Sequence, residues 1–166
     1  MRERRSTALV RDAMTPNVEC AHLYEPLQTA AERMRARDIR ALPVLDGDRI
    51  VGMITTNDIV QRAVSLGHDP RRTLVHEILT NRVVTCRDDH TLNEAAVIME
   101  GAHVRHLPVL DQEGRLVGML SLEDLTRSSL EPEILERVIE NTVPDRQEDE
   151  QVHAPKAYLT KPKLSG

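Results

Sequence analysis

Apolar positions along this chain recur with two periods, in the same order twice. Leu27, Ala30, Ala31 and Met34 fall at i, i+3, i+4 and i+7, as do Leu92, Ala95, Ala96 and Met99. That spacing gathers each set on one helix face. Thr91 followed by Glu94 predicts the start of the second helix, because a hydroxyl and a carboxylate three residues apart satisfy each other's backbone donors. The stretches "ALPVLD" and "DRIVGMIT" meet at Gly47-Asp48 and predict two short strands around a turn. Pro43 and Pro108 cannot donate to a ladder, which predicts a strand end or edge at both. After Gly52 the pattern is helical again, with Ile59, Val60, Ala63 and Val64 on one face and Gly67 as the C-terminal cap. Further on, Ile134, Leu135, Val138 and Ile139 predict a short amphipathic helix within 131–143.

The two passages are copies. "VRDAMTPNV" aligns with "VHEILTNRV", "LQTAAERM" with "LNEAAVIM", and "RALPVLD" with "RHLPVLD", all at an offset of 65 residues. After one inserted residue in the following turn, "VGMITTND" aligns with "VGMLSLED". The chain therefore holds two units, 8–67 and 73–130, each reading strand, helix, strand, strand, helix. A unit of about sixty residues buries too little surface to be more than marginally stable alone, so the two are expected to pair.

Composition narrows the setting. Of 166 residues, 40% are hydrophobic and 30% charged, with a net charge of -5, values of a globular chain. No run reaches the roughly 18 apolar residues that a membrane span needs, and "MRERRSTALV" lacks the apolar core of a secretory signal, which predicts a cytoplasmic protein without membrane contact. Cys20 and Cys86 are expected as reduced, small apolar residues and are too few for a tetrahedral zinc site. The acidic balance and scattered arginines predict no specific nucleic-acid binding. Residues 1–155 contain no lysine, whereas Lys156, Lys161 and Lys163 follow the acidic run "DRQEDE". With Pro155 and Pro162 and no apolar period, 144–166 reads as a disordered tail.

On the blocks "DAMTPNV", "RALPVLD" and "GMITTND" in the first copy, and "HEILTNRV", "RHLPVLD" and "GMLSLED" in the second, the chain from Val10 to about Ser129 resembles the paired CBS domain, or Bateman module. It is most similar to stand-alone bacterial members, those of the hypoxic-response type among them. The resemblance implies an α+β fold of two CBS repeats related by pseudo-twofold symmetry, a homodimer, and clefts between the repeats that take an adenosine compound such as AMP, ADP or ATP. It points to Thr15, Pro16 and Val18 with Ala41 in the first copy, and to Thr80, Val83 and His106 in the second.

Beside that stands the reading of the residues themselves. Thr55 and Ser121 are N-caps with Asp58 and Asp124 at N3, which an ordinary helix start also uses. The same geometry serves a nucleotide: N–H groups at a helix start meet a phosphate, and a carboxylate accepts the ribose hydroxyls. Gly52 and Gly118 then allow the backbone to approach the ligand, as only a residue without Cβ can. Arg40 and Arg105 stand at matching positions ahead of the strands and supply positive charge, with His106 and His103 added in the second copy only. Those two histidines lack a third ligand at fixed spacing, so no metal is expected. Tyr24 and Tyr158 are the only aromatic residues, which leaves aliphatic side chains to hold a base.

None of the phosphate-binding, zinc-protease or nucleophile-elbow motifs is present, and neither aspartate needs a role as acid or base. The expected function is a regulatory sensor without catalysis, requiring no cofactor beyond its nucleotide and acting on an unidentified protein target. The competing expectation is a structural or interaction module with empty clefts. Asn81 in place of the proline of "MTP", and Ser121 in place of threonine, make the second cleft the weaker expectation, and the two need not bind the same ligand.

Overall fold

The computed structural model describes residues 8–128 and 130–142. The basic start "MRERR" and the tail 144–166 lie outside the described residues. Two small sheets organise the chain. One has the order β2 (Ala21–His22), β3 (Ala41–Asp46), β4 (Arg49–Thr55); the other has β1 (Thr15–Pro16), β7 (Leu116–Ser121), β6 (His106–Leu110), β5 (Cys86–Arg87). β3 with β4 and β6 with β7 are antiparallel hairpins, each with a register shift at the same place, after Val44 and after Val109. β2 and β5 join their hairpins in parallel.

Helices α2 (Leu27–Arg37) and α5 (Leu92–Ala102) follow the predicted faces, with Leu27, Ala30 and Met34 buried in one and Leu92, Ala95, Ala96 and Met99 in the other. The Thr91–Glu94 box is formed: Thr91 N–H donates to Glu94 Oε2 at 2.7 Å and Glu94 N–H donates to Thr91 Oγ1 at 3.2 Å. Both helices end on a left-handed non-glycine residue, Asp38 and His103.

Pro43 and Pro108 stand inside β3 and β6, buried and paired with Met53 and Met119, not at a strand end. The missing donor costs nothing there. Met53 turns its own N–H and C=O away from Pro43 toward Thr80, so the proline nitrogen faces the β2 side, and β2 pairs only with Val44 and Leu45. β6 repeats the arrangement, since β5 pairs only with Val109 and Leu110.

The predicted helix after Gly52 begins as α3 (Thr56–Asp58) and continues as a π-helical stretch, Ile59–Val64. Widening to i+5 bonds, such as Ser65 N–H to Val60 O at 2.9 Å, rotates the expected face apart. Ala63 is buried and Ile59 half-buried, but Val60 and Val64 are 52% and 67% exposed. Gly67 closes the helix at φ +72 as expected. In the second copy α6 (Leu122–Arg127) is shorter, and α7 (Pro132–Thr142) folds back on α5. Val138 is fully buried there, with Ile134 and Leu135 against the same core, while Ile139 stays exposed. Arg137 Nε and Asn141 Nδ2 both donate to the Glu100 carboxylate, at 2.9 and 3.0 Å, and His103 Nδ1 lies 2.7 Å from Asn141 O. Among the described residues no helix covers α2 in the same way.

The repeats exchange their leading segments. Single-turn helices α1 (Val10–Ala13) and α4 (Val75–Ile78) each sit on the other repeat: Val10 lies in the core with Leu92, Leu107 and Leu120, and Val75 and Ile78 in the core with Leu27, Leu42 and Ile54. Matching hydrogen bonds fix both crossings, Val10 N–H to His90 O at 2.8 Å and Val75 N–H to Glu25 O at 3.0 Å. Both cores are thus shared between the repeats, so neither repeat closes its core alone.

Candidate functional site

The crossing segments run over the two glycines. A Cβ on Gly52 would lie 2.5 Å from Leu79 Cδ1 and 2.9 Å from Thr80 O, and one on Gly118 would strike the Met14 side chain. Leu79 and Met14 are equivalent positions in the repeat. Each glycine therefore makes room for the other repeat's chain, a role that the expectation of close ligand approach did not contain. Thr80 pairs with Met53, and Thr15 and Pro16 pair with Met119 and Gly118.

This exchange regroups the residues singled out in the sequence. Thr80 joins Arg40, Ala41, Gly52, Thr55 and Asp58, because Ala41 lies opposite Thr55 and Thr56 N–H donates to Arg40 O at 3.0 Å. Thr15 and Pro16 join Arg105, His106, Gly118, Ser121 and Asp124, because His106 lies opposite Ser121 and Leu122 N–H donates to Arg105 O at 2.9 Å. The expected grouping by copy, Thr15 and Pro16 with Ala41 and Thr80 with His106, is replaced by one across copies. Its cause is the antiparallel crossing of each leading segment over the other hairpin. Val18 and Val83 are half-buried and belong to neither core.

Both aspartates cap their helices. Thr55 N–H and Oγ1 donate to Asp58 Oδ2 at 2.8 and 2.7 Å, and Asp58 N–H donates to Thr55 Oγ1 at 3.1 Å. Ser121 and Asp124 repeat the set at 2.8, 2.7 and 3.2 Å. Two of the first three N–H groups of each helix are therefore engaged within the chain, the first with Arg40 O or Arg105 O. What remains for chemistry is the second carboxylate oxygen and the cationic groups nearby.

The clefts differ in that remainder. Asp58 is buried, and its Oδ1 accepts from Thr80 Oγ1 at 3.5 Å and faces Arg62 Nη1 at 3.7 Å. Arg62 was not singled out in the sequence; the available signal was its i, i+4 spacing from Asp58. Asp124 is half-buried, and around it burial holds the His106 imidazole below its ordinary value. Glu123 and Asp124 oppose that shift, whereas Arg105 and the first repeat's Arg40 reinforce it, so charges of both repeats reach this cleft. No group of three or more His, Cys, Asp or Glu side chains among the described residues is placed to hold a metal ion.

The fold defines a tandem module of two like repeats, and comparison with known proteins gives its family. The CBS domain model matches residues 10–65 and 75–131, and the chain belongs to the CBS-domain family as a tandem pair. It is 36% identical over 129 residues to hypoxic response protein 1 of Mycobacterium tuberculosis, covering 77% of this chain and 90% of that one. A CBS domain-containing protein of Bacillus subtilis is 32% identical over 124 residues, covering 75% and 87%. Among solved structures, hypoxic response protein I with two coordinated zinc ions superposes with a TM-score of 0.66 at 34% identity, over 75% of this chain and all of that one (100%). A CBS domain pair in complex with 5'-methylthioadenosine and S-adenosyl-L-methionine superposes with a TM-score of 0.65 at 29% identity, over 72% and 98%.

Proposed function

We propose that this chain is a regulatory sensor that takes an adenosine-containing ligand between its CBS repeats and catalyses no reaction. The observation that carries this reading is the composite make-up of the clefts. Thr80 of one repeat's leading segment lies 3.5 Å from the capped Asp58 of the other, and Thr15 pairs with Met119 on the strand that leads into Ser121 and the capped Asp124. A ligand spanning such a cleft binds only when both repeats are in place, so occupancy stabilises their mutual arrangement, which is what a sensor requires. A carboxylate oxygen suits a ribose diol, and Arg40, Arg105 and His106 suit an anionic or carboxylated tail. The adenosine compounds bound by the solved CBS pair support the same class.

The sensor works as a cytoplasmic homodimer that engages a protein target and neither nucleic acid nor membrane. The uncovered face of α2 and the segment 59–66, where Val60, Val64 and Leu66 are 52%, 67% and 69% exposed, supports a contact between copies. Among the described residues no helix is long and apolar enough to cross a membrane.

Thermal unfolding in the presence of AMP, ADP, ATP, 5'-methylthioadenosine and S-adenosyl-L-methionine tests the reading. A ligand at 100 times its dissociation constant adds about 2.7 kcal/mol of stability. No shift with any of the five, at millimolar concentration, sinks it in favour of an interaction module with empty clefts. Light scattering that gives a monomer mass removes the dimer.

A further inference from the structure

The Asp58 cleft already contains a cation of its own chain. Arg62 Nη1 donates to Ile78 O at 3.0 Å, Leu79 O at 3.3 Å and Thr80 Oγ1 at 3.3 Å, and faces Asp58 Oδ1 at 3.7 Å. It thus ties the first repeat's helix to the second repeat's leading segment. Oδ2 accepts two bonds from Thr55, and the other oxygen, Oδ1, is flanked by the Thr80 hydroxyl at 3.5 Å and the Arg62 guanidinium at 3.7 Å. A ribose diol reaching Oδ1 has to enter beside a guanidinium that the Ile78 and Leu79 carbonyls and the Thr80 hydroxyl hold in place.

The equivalent position in the second repeat is Ser128, whose hydroxyl turns back to its own helix and donates to Leu125 O at 2.6 Å. Asp124 Oδ1 accepts no hydrogen bond among the described residues, and Thr15, the counterpart of Thr80, is exposed. Two clefts built from the same repeat therefore offer different chemistry: one carboxylate faces a cation of its own chain, the other has an acceptor to give.

We infer that Arg62 is a specificity-determining residue that closes the Asp58 cleft to an adenosine ribose, so that each chain takes one adenosine ligand, at Asp124. This rests on the adenosine-ligand reading above. Titration calorimetry of the full chain with each of the five adenosine compounds counts the sites. The unmutated chain takes one equivalent, and Asp124→Asn weakens it by about 10-fold or more. Arg62→Ser, which copies the second repeat, takes two equivalents, and adding Asp58→Asn returns the count to one.

Two equivalents per unmutated chain overturn the inference. One equivalent that survives Asp124→Asn at full affinity overturns it as well, and so does a folded Arg62→Ser chain that still takes one. Should Arg62→Ser lose its cooperative unfolding transition, the count on the unmutated chain and on Asp124→Asn decides alone. Absence of heat with every compound overturns the adenosine reading and this inference together, whereas a count of two overturns this inference only.

Discussion

Met53 and Thr80 exchange two backbone hydrogen bonds, N–H of Met53 to O of Thr80 at 3.0 Å and N–H of Thr80 to O of Met53 at 2.9 Å. They belong to different repeats, and the pseudo-equivalent pair, Thr15 with Met119, is made in the same register. The leading segment of each repeat is thereby an element of the other. The stability of the two repeats is coupled through these crossings.

The coupling has a direct consequence for Val10. Though it precedes the first repeat's strands, it is fully buried among second-repeat residues. Val10→Ala is expected to cost about 1.5 to 3 kcal/mol, as for truncation of a buried aliphatic side chain. Amide exchange should speed up at Leu107, Val109 and Leu120 before Leu42 and Ile54. The reverse order would mean that Val10 supports its own repeat.

The two glycines are expected to tolerate alanine unequally. At Gly52 the new methyl meets a backbone carbonyl, Thr80 O, as well as Leu79, whereas at Gly118 its three nearest neighbours are all atoms of the flexible Met14 side chain. Gly52→Ala should lose about 1 to 3 kcal/mol in urea denaturation, and Gly118→Ala less, because a thioether rotates aside more readily than a strand moves. Equal losses would show that the crossing segments yield in both places.

Burial pushes the Cys86 thiol up to about 12, and Cys20 is raised as well, by burial first and then by Glu19. Cys86 is 2% exposed, and Cys20 is half-buried. Alkylation of the native protein near neutral pH should label Cys20 slowly and Cys86 only on unfolding, since the thiolate is the reacting form. Mass mapping of the labelled peptides reads this directly. Early labelling of Cys86 would mean that the second core opens more easily than its packing implies.

His106 gives the fold a pH dependence of known sign. Its folded-state value is held below the ordinary 6.5, by burial first, so the unfolded chain takes up the proton at a higher pH than the folded one. No penalty exists well above that value; stability is lost as pH falls through it, and the loss is complete below the depressed folded value. Unfolding curves from about pH 7.5 down to about pH 5 should therefore fall more steeply for the unmutated chain than for His106→Asn. Parallel curves would place the imidazole in contact with water.

Local interactions made much of this protein legible before any coordinate. The Thr91–Glu94 box, the caps at Thr55 and Ser121, the faces of α2 and α5 and the turn at Gly47 all join residues at most a few positions apart. Their energies hardly depend on what the rest of the chain does. The internal repeat, and with it the CBS family, was legible for the same reason: each copy writes the same local pattern.

What only the tertiary structure decided are choices on which two like copies are locally silent. "DAMTP" and "HEILTN" can lie on their own hairpin or on the other one at the same local cost, and the packing of Met14 over Gly118 and Leu79 over Gly52 selects the other. That crossing turns Met53 toward Thr80, leaves the Pro43 nitrogen without a strand to disappoint, and regroups the candidate site residues across copies. It also brings the Ile78 and Leu79 carbonyls within reach of Arg62, while Ser128 at the matching position bonds its own helix. The inequality of the clefts is therefore written in residues that share no motif, and it exists only once the two repeats are packed, because a hydrogen bond between positions far apart in sequence has no signature in either segment alone.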